Sequence, residues 1–359
     1  MNFTMKLNCL APINDRSYGL ATIGMMREFQ KEHDLTLFPI GNSACSNEDG
    51  VWIKKCLDKQ ASYSRNSPSL KIWHQFALAD GIPSKTLNAG MAFFELNKFK
   101  NEWPHFERGH IEALDLMLVS SKWAKNIVLN ETKQENVGVV PLGYEPNVFF
   151  PNPQPKKNDK YVFMNVGKFE IRKGHELLCR AFNAAFSEQD RDVELWMSCS
   201  NPFIDCKPWE NLYKNSKLGK KITILPWFVT QYELAAWMNK ADCGVFPSFA
   251  EGWNLPALEM MACGKPLIIS NYSAHTEFCN PLNSFLIEPN GLIEAYDGVW
   301  FDGFAEWGNF ETEDGIEQLV AHMRHCYNNR ITTNPNGLLT AEKYTWENST
   351  KQLVRAMEG

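Results

Sequence analysis

Residues 243–266 read CGVFPSFAEGWNLPALEMMACGKP. Cys243-Gly244-Val245-Phe246 is an unbroken apolar run of strand length, as in a strand buried on both faces. A short loop with Glu251 and Gly252 follows. Pro256 stands near the first position of a helix, where its missing N–H is harmless. Leu258, Met261 and Ala262 form a helical stripe. Gly264 suits a left-handed cap, and Pro266 bars further helix. The unit is therefore strand, Glu-Gly loop, short helix. The N–H groups at a helix start favour an anion such as phosphate. Glu251 stands before those donors and Glu259 two turns behind it. A nucleotide sugar, with a diphosphate between two hydroxyl-bearing ends, fits that spacing.

The rest of the chain repeats the strand–helix alternation. Residues 7–12, 35–40, 70–74 and 114–119 read as strands, with a helix over 20–32. A second series runs through 161–166, 193–197, 221–225, 243–246 and 266–269. Such alternation predicts α/β architecture, with parallel sheets covered by helices on both faces. Between the two series lies Asn152-Pro153-Gln154-Pro155-Lys156-Lys157-Asn158-Asp159, Pro-rich, charged and without apolar residues. It reads as a linker. The expected division is a first domain over 1–151, a linker over 152–159, a second domain over 160–335 and a terminal helical segment over 336–359. Residues 290–310 hold six aromatic side chains among glycines and acids and fit neither series. They read as an insertion that packs its own aromatics, or as a lid or plug.

A length of 359 residues suits two domains, and 44% hydrophobic with 22% charged residues is an ordinary globular balance. No signal peptide and no apolar run near eighteen residues is found, which points to a cytoplasmic protein. The ten cysteines form no Cys-x2-Cys pair, so reduced buried thiols are expected rather than a zinc site. The net charge is -6, yet residues 51–100 carry eight basic against three acidic side chains. That excess is either a solvated face or an attraction for an anionic acceptor.

The segment Val166-Gly167-Lys168-Phe169-Glu170-Ile171-Arg172-Lys173-Gly174 is a strand end, a turn glycine and clustered cations before a helix. Cations oppose the dipole at that end of a helix, and a bound diphosphate gives them a reason. Asp190-Arg191-Asp192 is an Asp-x-Asp, a pattern that binds metal in some transferases. It precedes a strand instead of ending one, so it reads as a solvated turn and no metal site is assigned.

The Glu251–Glu259 stretch resembles the Glu-x7-Glu signature of retaining GT-B glycosyltransferases, the glycosyl transferases group 1 or family 4 type. Ala241-Asp242, Pro247-Ser248, Gly264-Lys265-Pro266 and Ser273-Ala274-His275-Thr276-Glu277 stand where that family has them, and Lys168 to Gly174 resembles its Gly-Arg/Lys…Lys-Gly segment. The resemblance is dense from Leu116 to Glu277. It implies two Rossmann-like domains facing across a cleft, the first on the acceptor side, with a C-terminal helix returning to the first. It also implies that Lys168 and Lys173 contact the diphosphate, with Arg172 in reserve. Glu251 is then set beside the sugar ring, Glu259 holds the ribose hydroxyls, and the backbone of Gly252, Trp253, Asn254 and Leu255 binds phosphate. The family's commonest choice at 253–254 is Phe-Gly, so Trp253 and Asn254 leave sugar specificity open. In the first half, Gly19 falls where the family has a loop glycine, His74 where it has a strand-end histidine beside the sugar, and Glu95 where relatives carry an acid.

These readings imply a metal-independent retaining transferase that moves a sugar from a nucleotide donor, such as a UDP- or GDP-sugar, to an acceptor hydroxyl without a cofactor. The acceptor is a glycan, a lipid or another small molecule. The alternatives are a phage-type enzyme acting on a modified DNA base, a non-catalytic nucleotide-sugar binder, and a phosphorylase, which needs a pyridoxal phosphate lysine and a longer chain.

Overall fold

The computed structural model describes residues 4–102, 105–152 and 159–359. The chain divides into two compact units, Met1–Glu145 with Tyr344–Gly359, and Pro146–Lys343. The expected boundaries stood at 151, 160 and 336. Most of the expected linker, residues 153–158, lies outside the described residues.

The first unit holds β1 (Lys6–Ala11), β2 (Asp34–Pro39), β3 (Ser69–Ile72), β4 (Asn88–Ala92), β5 (Leu116–Val119) and β6 (Val137–Val139). They form one parallel sheet in the order β2-β1-β3-β4-β5-β6. The order reverses between β1 and β3. In open α/β sheets ligands bind outside the carboxyl ends of the strands at such a reversal. The loop after β1 and the segment Trp73–His74 after β3 sit there.

The second unit holds β7 (Tyr161–Gly167), β8 (Val193–Cys199), β9 (Ile222–Ile224), β10 (Cys243–Phe246), β11 (Leu267–Ser270) and β12 (Phe285–Ile287). Their order is β12-β11-β10-β7-β8-β9, also all parallel. The reversal here lies between β7 and β10. The two loops singled out in the sequence, 168–174 and 247–254, leave the carboxyl ends of those two strands. The fold thus places the two motifs side by side although Arg172 and Glu251 stand 79 residues apart in the chain.

The aromatic insertion is an antiparallel hairpin, β13 (Leu292–Tyr296) and β14 (Asp302–Gly308), with a register shift between Glu294 and Tyr296. It does pack its own aromatics, Phe301 against Trp307, and Trp307 and Phe310 also pack on Phe249. The expected single tail helix is two helices, Pro335–Ala341 and Trp346–Glu358, because the Thr345 hydroxyl caps the second. No helix of the described residues is long and apolar enough to cross a membrane. No disulfide joins the ten cysteines, of which Cys45 is exposed and Cys206 half-buried.

Candidate functional site

The loop after β7 folds as a 3-10 turn, Ile171–Lys173, closed by Gly174 at φ 69°. A Cβ on Gly174 would lie 2.2 Å from the Pro247 carbonyl oxygen, so only glycine admits this approach of the two loops. The Phe249 N–H then donates to the Arg172 carbonyl at 2.7 Å.

Side chains join the loops further. Arg172 Nη1 donates to the Ala250 carbonyl at 2.7 Å and to Glu251 Oε2 at 2.9 Å, and Nη2 donates to Glu170 Oε2 at 2.8 Å. Lys173 Nζ donates to Glu251 Oε1 at 2.5 Å. Arg172 and Glu251 are 6% and 3% exposed, so these pairs are internal. Burial alone would push the Glu251 carboxyl up, but Lys173 and Arg172 pull it well below the usual range. Burial likewise opposes ionisation of Glu170, and Arg172, Lys173 and Lys168 override it. Arg172, a reserve phosphate contact in the sequence reading, is turned inward as a strut between two glutamates. Its guanidinium forks between carboxylates better than a lysine could.

Lys168 differs. Its side chain is 42% exposed, 3.6 Å from Glu170 Oε1 and 5.7 Å from the Phe203 ring centre. Behind it, buried His175 contacts the Lys168 carbonyl through Nε2 at 2.8 Å and the Tyr213 hydroxyl through Nδ1 at 2.9 Å. Burial lowers the pKa of His175 to about 4, so it is a neutral brace for the loop.

The loop Gly252–Asn254 enters the helix Leu255–Ala262, with Pro256 in its first turn as expected. Asn254, at φ 79°, is the residue before that helix. The family's glycine at this place is thus accounted for, since asparagine is among the few other residues that tolerate the left-handed region. Among the described residues, the N–H groups of Asn254 and Leu255 have no hydrogen-bond acceptor. Trp253 is buried against Phe278, with ring centres 5.2 Å apart. Glu259 lies on the same helix, 5% exposed, and among the described residues its carboxyl has no hydrogen bond or ion pair. Burial raises its pKa to about 8. The two motif glutamates are therefore driven apart, Glu251 ionised and Glu259 mostly protonated at neutral pH.

In the first unit Gly19 lies inside the helix Ser17–Glu32, not in the loop before it. Its Cα faces Asn14, whose side-chain oxygen a Cβ would meet at 2.3 Å. His74 does not end β3; it precedes a 3-10 turn at Gln75–Ala77. Its ring lies 4.8 Å from Tyr18 and is stacked on Phe76 at 5.4 Å. Gly19 and His74 share the reversal point of the first unit's sheet, whereas the 168–174 and 247–254 loops belong to the second unit. Asp190 accepts from Arg324 at 2.9 Å and from Ser187, and Asp192 pairs with Arg330 and Tyr327. Cations and hydroxyls thus occupy both Asp-x-Asp carboxylates.

Sequence reasoning does not single out Glu170, His175, Ser273 or His275 as working parts of the site, although all four lie within or beside quoted motifs. For His175, Ser273 and His275 a key partner is remote in the chain. His175 meets Tyr213 across 38 residues and Ser273 meets Glu251 across 22, and such contacts leave no local signature.

Residues 160–299 match the family model of the glycosyl transferases group 1. That segment, less than half of the chain, is similar to this family. It contains both the 168–174 and the 247–254 loops and the helix with Glu259. Among curated relatives, the D-inositol 3-phosphate glycosyltransferase of Paenarthrobacter aurescens is 27% identical over 38% of this chain and 35% of its own length. The first three relatives are matched over 24 to 35% of their length, so the chain spans about a third or less of each of those three. Among solved structures, sucrose-phosphate synthase from Thermosynechococcus elongatus gives a TM-score of 0.71 at 16% identity, covering 99% of this chain and 98% of that one. Anabaena HepE in complex with UDP-glucose gives 0.70 at 13% identity, covering 99% of each chain. The fold is GT-B, with two parallel α/β sheets.

Proposed function

We propose that the chain is a retaining, metal-independent glycosyltransferase that moves a sugar from a UDP- or GDP-sugar to a hydroxyl of a glycan or lipid acceptor. One observation carries the reading. Glu251 is buried yet ionised, held by Lys173 and Arg172. It stands at the strand-order reversal, next to the N–H groups of Asn254 and Leu255 that lead into a helix. A carboxylate so placed opposes positive charge on a sugar, while the helix start opposes negative charge on a diphosphate.

The chemistry follows from those two poles. The bond between the anomeric carbon and the diphosphate oxygen breaks, and the electron pair leaves with the diphosphate. Lys168 and the two N–H groups stabilise that charge in place of a metal ion. Glu251 faces the electron-poor anomeric carbon. The acceptor oxygen bonds that carbon on the face the diphosphate leaves, and its proton passes to the departing phosphate oxygen. Glu259 receives the ribose hydroxyls. HepE, matched in fold, is described with UDP-glucose, which makes a UDP-sugar the first donor to try.

The test is thermal stabilisation by UDP- and GDP-sugars, followed by proton NMR of the product's anomeric coupling. A donor at a hundred times its Kd stabilises by about 2.7 kcal/mol. No stabilisation by any of them, or a product of inverted configuration, would overturn the reading.

A further inference from the structure

The turn Ser270–His275 grips the Glu251–Asn254 loop at both ends. At one end Ser273 Oγ accepts from the Glu251 N–H at 2.7 Å, and the Ala274 N–H donates to the Glu251 carbonyl at 3.2 Å. At the other end Asn254 Nδ2 meets His275 Nε2 at 2.9 Å, and His275 Nδ1 meets the Ser270 carbonyl at 3.0 Å. The partners dictate the tautomer. A carbonyl only accepts, so Nδ1 carries the proton. Burial lowers the pKa of His275 to about 4, with Glu251 opposing and Lys173 and Arg172 assisting, so the ring is neutral. Nε2 is then a lone pair that accepts from Asn254.

This arrangement is held against opposition. It leaves Asn254 Oδ1 buried with no hydrogen-bond partner among the described residues. A buried unsatisfied acceptor is destabilising. The left-handed backbone at φ 79° is unfavourable for a residue with a Cβ, asparagine bearing it better than most but less freely than glycine. A strained residue persists only where its surroundings over-determine it, and here the bond to His275 is what fixes the Asn254 amide.

We propose that His275 is a positioning residue for the donor. Through Asn254 it holds the left-handed turn that leaves the Asn254 and Leu255 N–H groups available to a nucleoside diphosphate. The ligand in this statement rests on the nucleotide-sugar reading above. Glycine enters the left-handed region unaided, so His275 is needed only because residue 254 is asparagine.

The test compares wild type, H275A, H275Q, N254G and N254G/H275A. Amide hydrogen exchange is read over residues 250–258, and UDP and GDP binding by calorimetry. Losing one bond of this kind corresponds to up to about tenfold. H275A is expected to speed exchange in the loop and weaken the nucleotide by that order. H275Q can set an amide oxygen where Nε2 was and should recover most of both. In the N254G background H275A should add no further loss. The proposal is overturned if exchange in the H275A loop stays at the wild-type rate. It is equally overturned if H275A costs as much in the N254G background as it does with Asn254 in place, since His275 would then be mere core packing. If wild type binds neither UDP nor GDP, the donor reading falls, and the exchange pattern alone decides the positioning role.

Discussion

Glu251 and Glu259 are buried to a similar degree and titrate in opposite directions, because one has Lys173 and Arg172 and the other has no ion-pair partner among the described residues. The difference makes two predictions. Glu251→Gln keeps the shape and removes the charge proposed to face the anomeric carbon. Turnover is expected to fall by about 10²–10³, while the Kd for nucleoside diphosphate changes by far less. Since Arg172 and Lys173 lose their counter-charge, the melting temperature should drop too, so turnover is measured well below it. For Glu259 the sign runs through its raised pKa. Unliganded, it is mostly protonated below about 8, whereas two ribose hydroxyls donate best to a carboxylate. Nucleotide affinity should therefore rise with pH up to about 8 and level off above it, and binding at pH 7 should release protons in calorimetry. Affinity that is flat from pH 6 to 9 would remove Glu259 from the ribose. Stability has the opposite slope. The folded pKa is raised, so the contribution is complete below the unfolded value and is lost as pH rises to about 8. Glu259→Gln should lack that decline.

At the scale of the element, the strands legible in the sequence are those dense in branched, aromatic or other large apolar residues. β10 matches its reading residue for residue, and β7 and β8 differ only at their ends. β4 escapes such a reading because Asn88-Ala89-Gly90-Met91-Ala92 is small and weakly strand-forming, and β6 and β12 are three residues each. The loop–helix unit around Glu251 is legible because Pro256, Gly264 and Pro266 punctuate it. The inward turn of Arg172 is not, since it depends on Glu170 and Glu251 meeting in space. The hairpin β13–β14 shows in the sequence only as a break in the alternation. Its buried face packs Trp307 on Phe249, two residues before Glu251. Trp307→Ala should cost about 3–5 kcal/mol and raise hydrogen exchange over 247–254. Trp300, at the hairpin tip, is 56% exposed and touches Phe203 edge-on. Its alanine variant should cost no more than about 1.5 kcal/mol and leave that exchange unchanged. Equal effects from the two would mean that the hairpin stem does not support the loop.

Over the whole molecule, charge and chain path decide two further outcomes. Residues 290–312 carry five acidic and no basic side chains, against a net -6 for the chain. Part of the basic excess of 51–100 is answered within the first unit. Lys54 pairs with Asp58 at 2.7 Å, Lys59 with Asp34 at 2.5 Å, and Lys71 is buried with its ammonium on the Asp80 carbonyl. Duplex DNA should accordingly show no steep salt-dependent binding, and a slope equivalent to about six or more phosphate contacts would restore the DNA-base alternative. The chain path gives the last prediction. The terminal residues from Tyr344 belong to the first unit, entering through a bridge between Tyr144 and Thr345. Trp346, 6% exposed, then lays its ring over Gly24, and the Thr350 hydroxyl donates to the Met25 carbonyl at 2.9 Å. The residues from Tyr344 to Gly359 thus complete the core behind the helix Ser17–Glu32, whose first turn contains Gly19. Trp346→Ala opens a large cavity there and should cost about 3–5 kcal/mol. Because the contact lies wholly within one unit, the loss should appear as faster hydrogen exchange over residues 6–11 and 17–32. Exchange over residues 160–299, and the nucleotide affinity proposed for them, should stay at wild-type values. A uniform rise across both units would show that they unfold as a single cooperative block.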